Sequence, residues 1–324
     1  MPDLFQQVAP GAWLIRLPLP WKRLETVNAY LFRGPKGYFL IDCGLNTDET
    51  FAAFDAVFAE LKIDWRAIDT ILISHMHPDH FGGAARARKL SGAAVLMHPK
   101  EAALVAPREQ SEFFVDTATF LLRHGTPQDV VDRLRADASK VADKMDRFHP
   151  DGELNPGDTF EYAGGRIEAV WAPGHSPALL CFHDPERRIL FSTDAVLERI
   201  SPNIGVHSFY EGNPLGEYFD TLARLEKLAV ELVVPSHGNP FEDLDEWIAG
   251  TRGHHRSRLE KMAEAAGPEP VAGWEIAGRV WGERLSHGHR RLALAEALSH
   301  LEFLARTGGA SKSEVDGALL WKAL

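Results

Sequence analysis

Apolar and polar positions alternate in short blocks through the first forty residues. AWLIRL (12–17), VNAYLF (27–32) and GYFLID (37–42) each read as a strand, with Pro and Gly punctuating the gaps. Blocks this short and close together predict an antiparallel meander. The spacing changes in TDETFAAFDAVFAELK (47–62), where apolar residues recur at helical intervals behind a Thr/Asp cap signal, and TILIS (70–74) returns to a buried strand. A helix start at FGGAARARKL and a strand at AAVLMH (93–98) follow. Helical periodicity over 109–147, broken by HGTP, reads as an insertion spanning about 101–150. Strands resume at GRIEAVWA (165–172), ALLCFHD (178–184) and RILFST (188–193), then a helix at 214–228 and the strand ELVVPS (231–236), so two similar halves follow one another. Past about residue 252 the pattern becomes three helices, a Gly-Gly turn and a short apolar tail. This predicts a main domain over 1–252 and a small one over 253–324. No repeat of solenoid period interrupts this order.

Composition narrows the picture. Hydrophobic residues at 45% and charged residues at 25% fit a folded globular chain rather than a disordered or membrane-embedded one. The net charge of −11 opposes diffuse binding to nucleic acid or anionic membrane. Cys43 and Cys181 are the only cysteines and lie in apolar stretches, which predicts buried thiols and excludes a disulfide framework or cysteine zinc knuckle. Without a basic start leading into an apolar leader, and without 18 uninterrupted apolar residues, the expected location is cytoplasmic, with no membrane partner.

The chemistry concentrates in SHMHPDHFGG (74–83), just where the strand over 70–74 ends. Imidazole and carboxylate are ligands of catalytic zinc, which takes about three from the protein and keeps a position for water. His75 and His77, two apart in a loop, can face one ion while Asp79 and His80 turn to a second. Chance yields an H-x-H-x-D-H string in a chain of this composition roughly a few times in a thousand. Further candidates follow apolar runs: His175 in APGHSP, Asp194 in FSTDAV and His237 in VVPSHG. Side chains at strand ends can converge over one sheet edge, and a carboxylate there can bridge two cations. His98, His124, His149, His183, His254 and His255 share no such pattern and read as packing or surface residues. His207 and Tyr210 lie on a loop after Asp194. Trp21, Lys22 and Arg23 read as an exposed hairpin or as a flap.

In that order, SHMHPDH, GHSP, STDA and PSHG resemble the metallo-β-lactamase fold superfamily over roughly residues 10–250. The resemblance implies an α/β, four-layer αββα sandwich with the site at one edge between two sheets. It implies that His75, His77 and His175 hold one divalent ion and Asp79, His80 and His237 another, expected to be Zn2+, with Asp194 bridging. Asp42 in LIDCG matches an aspartate beside the site that orients a ligand. Asp79 and Asp194 are the expected catalytic carboxylates. Two such ions lower the pKa of a shared water from 15.7 toward about 7 and so supply hydroxide at neutral pH. Two departures stand out: Ala178 and Leu179 replace the Gly-His that follows GHSP in many members, and the His80 to His175 interval is long.

The last 70 residues resemble the winged-helix appendage of the β-lactamase-like protein 2 group, which includes an RNA endonuclease. Residues 254–324 carry ten Lys/Arg against nine Asp/Glu, and the helix RRLALAEALSHLEFLAR has an apolar body whose Leu292, Leu294, Leu298, Leu301 and Leu304 read as packing. Nucleic-acid binding calls for a basic face that neutralises phosphates. A lid, pocket wall or homodimer element is therefore the expected role. The expected activity is hydrolysis of a small ester-like molecule (thioester, ester or lactone). The alternatives are a phosphodiesterase or endoribonuclease, and a non-catalytic metal-stabilised binding protein.

Overall fold

In the computed structural model, which describes residues 4–21, 24–107, 110–142, 144–145, 147–282 and 284–324, the opening alternation becomes a meander. Strands β1 (Phe5–Ala9), β2 (Ala12–Pro18), β3 (Thr26–Arg33) and β4 (Tyr38–Ile41) pair antiparallel in sequence order. β5 (Ile68–Ile73), β6 (Ala94–Met97) and β7 (Gly152–Glu153) then extend the same sheet in parallel. The register sets Leu14 opposite Tyr30 and Tyr30 opposite Ile41, so alternate residues share one buried face. Lys22 and Arg23 of the expected flap lie outside the described residues.

A second sheet has the order β12-β11-β10-β9-β8, from β8 (Thr159–Tyr162), β9 (Gly165–Trp171), β10 (Leu180–Asp184), β11 (Ile189–Thr193) and β12 (Leu232–Pro235). Its Ile167, Phe182, Phe191 and Val234 pack with Leu14, Tyr30, Phe32 and Leu72 of the first sheet, and Phe32 meets Phe191 edge-on at 4.9 Å. On the first sheet's other face, Ile15, Leu31, Leu40 and Ile71 pack with Phe54, Val57 and Phe58 of α1 (Asp48–Leu61). Thr47 caps α1, its Oγ1 accepting from Thr50 N at 3.2 Å. Cys181, Leu190 and Val233 alternate with the inward residues and are buried too, so the second sheet is covered on both faces, as αββα order requires. Cys43 and Cys181 are buried free thiols.

Strand direction places the chemistry. β4, β5 and β6 run in parallel, so the residues after them emerge at one edge; β9, β11 and β12 also share a direction. His75, His175, Asp194 and His237 each follow the carboxyl end of one of these strands. After His77 the chain enters the short helix α2 (Pro78–Phe81) and then α3 (Ala84–Ser91). Gly82 and Gly83 allow the close approach: a Cβ on Gly83 would sit 2.6 Å from Cys43 O, and Gly83 N donates to Gly44 O at 2.8 Å.

Packing gathers the chain into two compact units. The first, residues 1–107, 141–202 and 226–244, holds both sheets, α1 to α3 and α4 (Pro99–Val105). The second comprises residues 108–140, 203–225 and 245–324. It contains α5 (Gln110–Arg123), most of α6 (Gln128–Ala142), α7 (Pro214–Leu225), α8 (Leu244–Ala266), α9 (Gly273–Trp281) and α10 (His287–Thr307). The composition change near residue 252 is not a backbone break: α8 runs straight through it, with Gly250 and Gly253 inside the helix. The short apolar tail is a strand. β14 (Ala310–Val315) and β15 (Ala318–Ala323) form a hairpin around Asp316-Gly317, both at positive φ, and β13 (Val271–Ala272) completes a three-stranded sheet. Leu294, Leu298 and Leu301 pack with Trp321 as expected of a packing helix, and Leu304 packs beside them. Leu292 does not belong to that stripe: it is 37% exposed, because it lies about 200° around the helix from Leu294.

Candidate metal centre

Seven side chains from four separate stretches meet at the shared edge. Among the described residues they form two groups of converging ligand atoms, His75, His77, His175 and Asp194 in one, and Asp79, His80 and His237 in the other. Asp194 faces both. Its Oδ2 lies 3.1 Å from His175 Nε2 and 3.8 Å from His75 Nε2, while its Oδ1 lies 3.4 Å from His80 Nε2 and 3.5 Å from His237 Nε2. Asp79 Oδ2 is 3.4 Å from His237 Nε2 and 3.9 Å from His80 Nε2. All seven predicted ligand positions are thus brought together.

The outer partner of each imidazole sets its tautomer. Ser74 Oγ donates to Asp42 Oδ2 at 2.7 Å, so it accepts from His75 Nδ1 at 3.0 Å and leaves His75 Nε2 as a lone pair. His80 Nδ1 donates to the same Asp42 oxygen at 2.8 Å, and His237 Nδ1 donates to Thr26 O at 2.9 Å. In each ring, when neutral, the inner Nε2 is left as an acceptor pointing into the cluster. Asp42 also accepts Ser74 N at 2.8 Å; it is buried at φ 65°, a left-handed conformation that Asp tolerates better than most residues.

These donors fit divalent ions. His80 Nε2 is buried with no hydrogen-bond partner, which costs free energy unless a cation takes the lone pair. His77 Nδ1 lies 2.9 Å from His75 Nε2 and 2.8 Å from His175 Nε2, too many nitrogens for one N–H to satisfy. Burial and the neighbouring His175 push His77 down to about 3, so its ring is neutral. Burial, His80 and His77 likewise hold His75 well below the usual imidazole range. The second group differs. Burial alone would lower His80 and His237, but the carboxylates of Asp194 and Asp79 outweigh it and raise both, with Asp42 adding to the effect at His80. Positive charge is therefore favoured at those two rings, and a divalent ion supplies it in place of protons. Burial alone would raise the Asp194 carboxyl, but the imidazoles of His80 and His237 outweigh it and keep it well below the carboxylate range. Imidazole nitrogens around ionised oxygens are the donor set for such cations.

The other histidines stand apart from this centre. His98 caps α4, its Nδ1 accepting from Lys100 N at 3.2 Å, and His124, His183 and His255 are buried while His149 and His254 are exposed. His207 and Tyr210 belong to the second unit, where they exchange backbone hydrogen bonds at 3.1 and 3.0 Å. Ala178 and Leu179, at the departure from GHSPGH, are fully buried and offer no exposed surface to a ligand. Nothing in the local pattern marks Glu101 as part of the site. It is fully buried, and its carboxylate accepts from Met76 N at 2.9 Å, Ser176 Oγ at 2.7 Å and Ala178 N at 2.6 Å. Burial raises its carboxyl pKa against the pull of those donors. Ser236 Oγ, a second missed group, donates to Asp194 Oδ1.

A family model described as "Metallo-beta-lactamase superfamily" matches residues 23–237, the stretch carrying all seven candidate ligands. The chain belongs to the metallo-beta-lactamase superfamily. A superfamily protein from Thermus thermophilus shares 29% identity at a TM-score of 0.86, covering 98% of this chain and 100% of that one. A beta-lactamase domain protein from Burkholderia ambifaria shares 28% identity at 0.87, covering 100% and 96%. Among curated relatives, the "Lactamase-like protein nscB" of Arthroderma benhamiae is 33% identical over 146 residues, 43% of this chain and 31% of that protein. The chain spans between 31% and 48% of the length of the first nscB relatives it matches. A chain of this superfamily thus carries two His/Asp groups that could hold divalent ions.

Proposed function

We propose that the protein is a dinuclear zinc hydrolase acting on a small ester-like molecule: a thioester, ester or lactone. The observation that carries the two-ion reading is the division of Asp194, with Oδ2 among His75, His77 and His175 and Oδ1 beside His80 and His237. His75, His77 and His175 would hold one ion, Asp79, His80 and His237 the other, and Asp194 both. When bound, such ions supply an activated water and a Lewis acid for the scissile carbonyl. The chain's own residues do the rest. Asp42 and Ser74 fix the rings of His75 and His80, Thr26 O fixes His237, and Asp79 Oδ2 lies at the inner face of the cluster, where it can hold a proton during turnover.

Charge supports a small substrate over RNA. Basic residues of the second unit are engaged within it: Arg258 lies 3.5 Å from Glu296, Lys312 pairs with Glu302, Arg279 with Glu275 at 2.7 Å and Arg123 with Glu314 at 2.7 Å. Arg290 lies over the Trp274 ring at 4.5 Å. In this reading residues 253–324 are a winged-helix-like element that serves as a homodimer contact, and the protein works in the cytoplasm. No helix among the described residues is long and apolar enough to cross a membrane.

Metal analysis should return two zinc ions per chain, and fewer than about one and a half would sink the dinuclear reading. The substrate class is tested with acyl-CoA and glutathione thioesters, lactones, a chromogenic β-lactam, bis-p-nitrophenyl phosphate and single-stranded RNA. Turnover of a thioester, ester or lactone is expected. Hydrolysis confined to the phosphodiester or RNA would overturn the ester reading.

A further inference from the structure

Met76 lies between the ligands His75 and His77, and Ser176 follows the ligand His175 directly. Between these two loops sits one carboxylate. Glu101 Oε2 accepts the backbone N–H of Met76, while Oε1 accepts the hydroxyl of Ser176 and the backbone N–H of Ala178. Glu101 comes from neither loop: it lies 25 residues from Met76 and 75 from Ser176. The loops come from different sheets, one after β5 and the other after β9; Leu180 N donates to Ser74 O at 3.1 Å beside them, and Glu101 adds a side-chain link to both loops. The second cluster has outer partners of its own. His80 is tied to Asp42, and His237 to Thr26 O within a segment that Asn28 brackets, its backbone N donating to Ser236 O and its Nδ2 to Pro235 O and Gly238 O.

We propose that Glu101 is a positioning residue for one half of the metal centre, setting the distance between the His75/His77 loop and the His175 loop and so the affinity of that half alone. The proposal rests on the two-ion reading above. Glu101→Gln is close to isosteric but replaces one acceptor oxygen with an NH2 donor. Either Met76 N–H, or the Ser176 and Ala178 pair, then faces a donor. Losing a partner of this kind costs a metal site roughly 10- to 100-fold in affinity.

The test separates the two halves by removing one at a time. In a His237→Ala background, Co2+ binding to apoprotein reports the His75/His77/His175 half, and Glu101→Gln should weaken it roughly tenfold or more. In a His175→Ala background the remaining half should bind Co2+ within about twofold with or without Glu101→Gln. Circular dichroism and thermal melting of the apoproteins check folding, and Ser176→Ala, which removes one of three hydrogen bonds, gives a milder probe. It should weaken the same half by a smaller factor. Equal weakening in both backgrounds, or none in either, would overturn the proposal. Uptake of only one ion by the wild type would instead refute the two-ion reading while leaving the comparison between backgrounds measurable.

Discussion

Among the described residues, histidines press together at the sheet edge and again in the second unit, and only the first gathering joins carboxylates in groups that could hold a metal ion. At the sheet edge, His75, His77, His80, His175 and His237 surround Asp79 and Asp194, and the outer nitrogens of His75, His80 and His237 are tied off so that their inner nitrogens converge. In the second unit His255 and His300 also touch, His255 Nδ1 lying 3.1 Å from His300 Nε2. His300 Nδ1 donates to Glu296 O at 2.7 Å, so the chain of hydrogen bonds ends at His255 Nε2, buried without a partner. Among the described residues these two rings join no carboxylate in a ligand group, and the rings of Tyr218 and Phe219 lie 5.7 and 5.8 Å from the His255 ring. Proximity of imidazoles is thus a packing outcome. Convergent nitrogens plus ionised oxygens make a cation site.

The strongest way to break this contrast is to take away the shared carboxylate. Asp194→Asn leaves the nitrogens in place but removes the charge facing both groups; zinc content should fall to one ion or fewer. Turnover should drop on the order of 10²-fold or more, because a Lewis acid supplies several kcal/mol of transition-state stabilisation. Near-normal metal content in that variant would refute the bridging role. Next in size, Asp42→Asn converts the support of His80 from a carboxylate to an amide, closer to the carbonyl that holds His300. Affinity of the Asp79/His80/His237 half should fall roughly 10- to 100-fold, read by competition with a chelator.

The pair in the second unit should instead report itself in acid. Burial and its neighbours His300, His254 and Arg258 push His255 down to about 3, and burial pushes His300 down to about 4, both below the ordinary value near 6.5. Between those values the unfolded chain binds more protons than the folded one, so the pair's contribution is full above pH 6.5 and is lost as pH falls toward 4 and below. The slope is about 1.4 kcal/mol per pH unit for each proton taken up. Apoprotein melting followed from pH 7.5 to 4.5 should show that loss, and His255→Gln should flatten it without changing metal content. The smallest effect is expected at His149, which is exposed and outside both clusters. His149→Ala should shift stability by no more than about 0.5 kcal/mol and leave zinc at the wild-type count.

Much of the sandwich was legible because its strands carry strong local signals. The meander over β2 to β4, the capped helix α1 and the strands on either side of each ligand all follow from period and punctuation. The hairpin of β14 and β15 was also written in the chain, in Asp316-Gly317, but the apolar run ALLWKAL masks the turn before it. The continuity of α8 was hidden, since Gly250 and Gly253 weaken helical propensity by about 1 kcal/mol each and packing overrides them. Glu101 carried no local signal at all. A glutamate in the first turn of a helix is ordinary, and only the approach of Met76, Ser176 and Ala178 makes it distinctive.

By itself the sequence determined the kind of chemistry, because ligand identity is covalent: the order His, His, Asp, His, then His175, Asp194 and His237, is legible without coordinates. The tertiary structure alone decided the partition of that chemistry, giving one oxygen of Asp194 to each group, Asp42 to His80 and Ser74, and Glu101 to both loops of one half. Such partners lie tens to hundreds of residues apart in the chain. Only strand direction and sheet packing bring them within hydrogen-bond range.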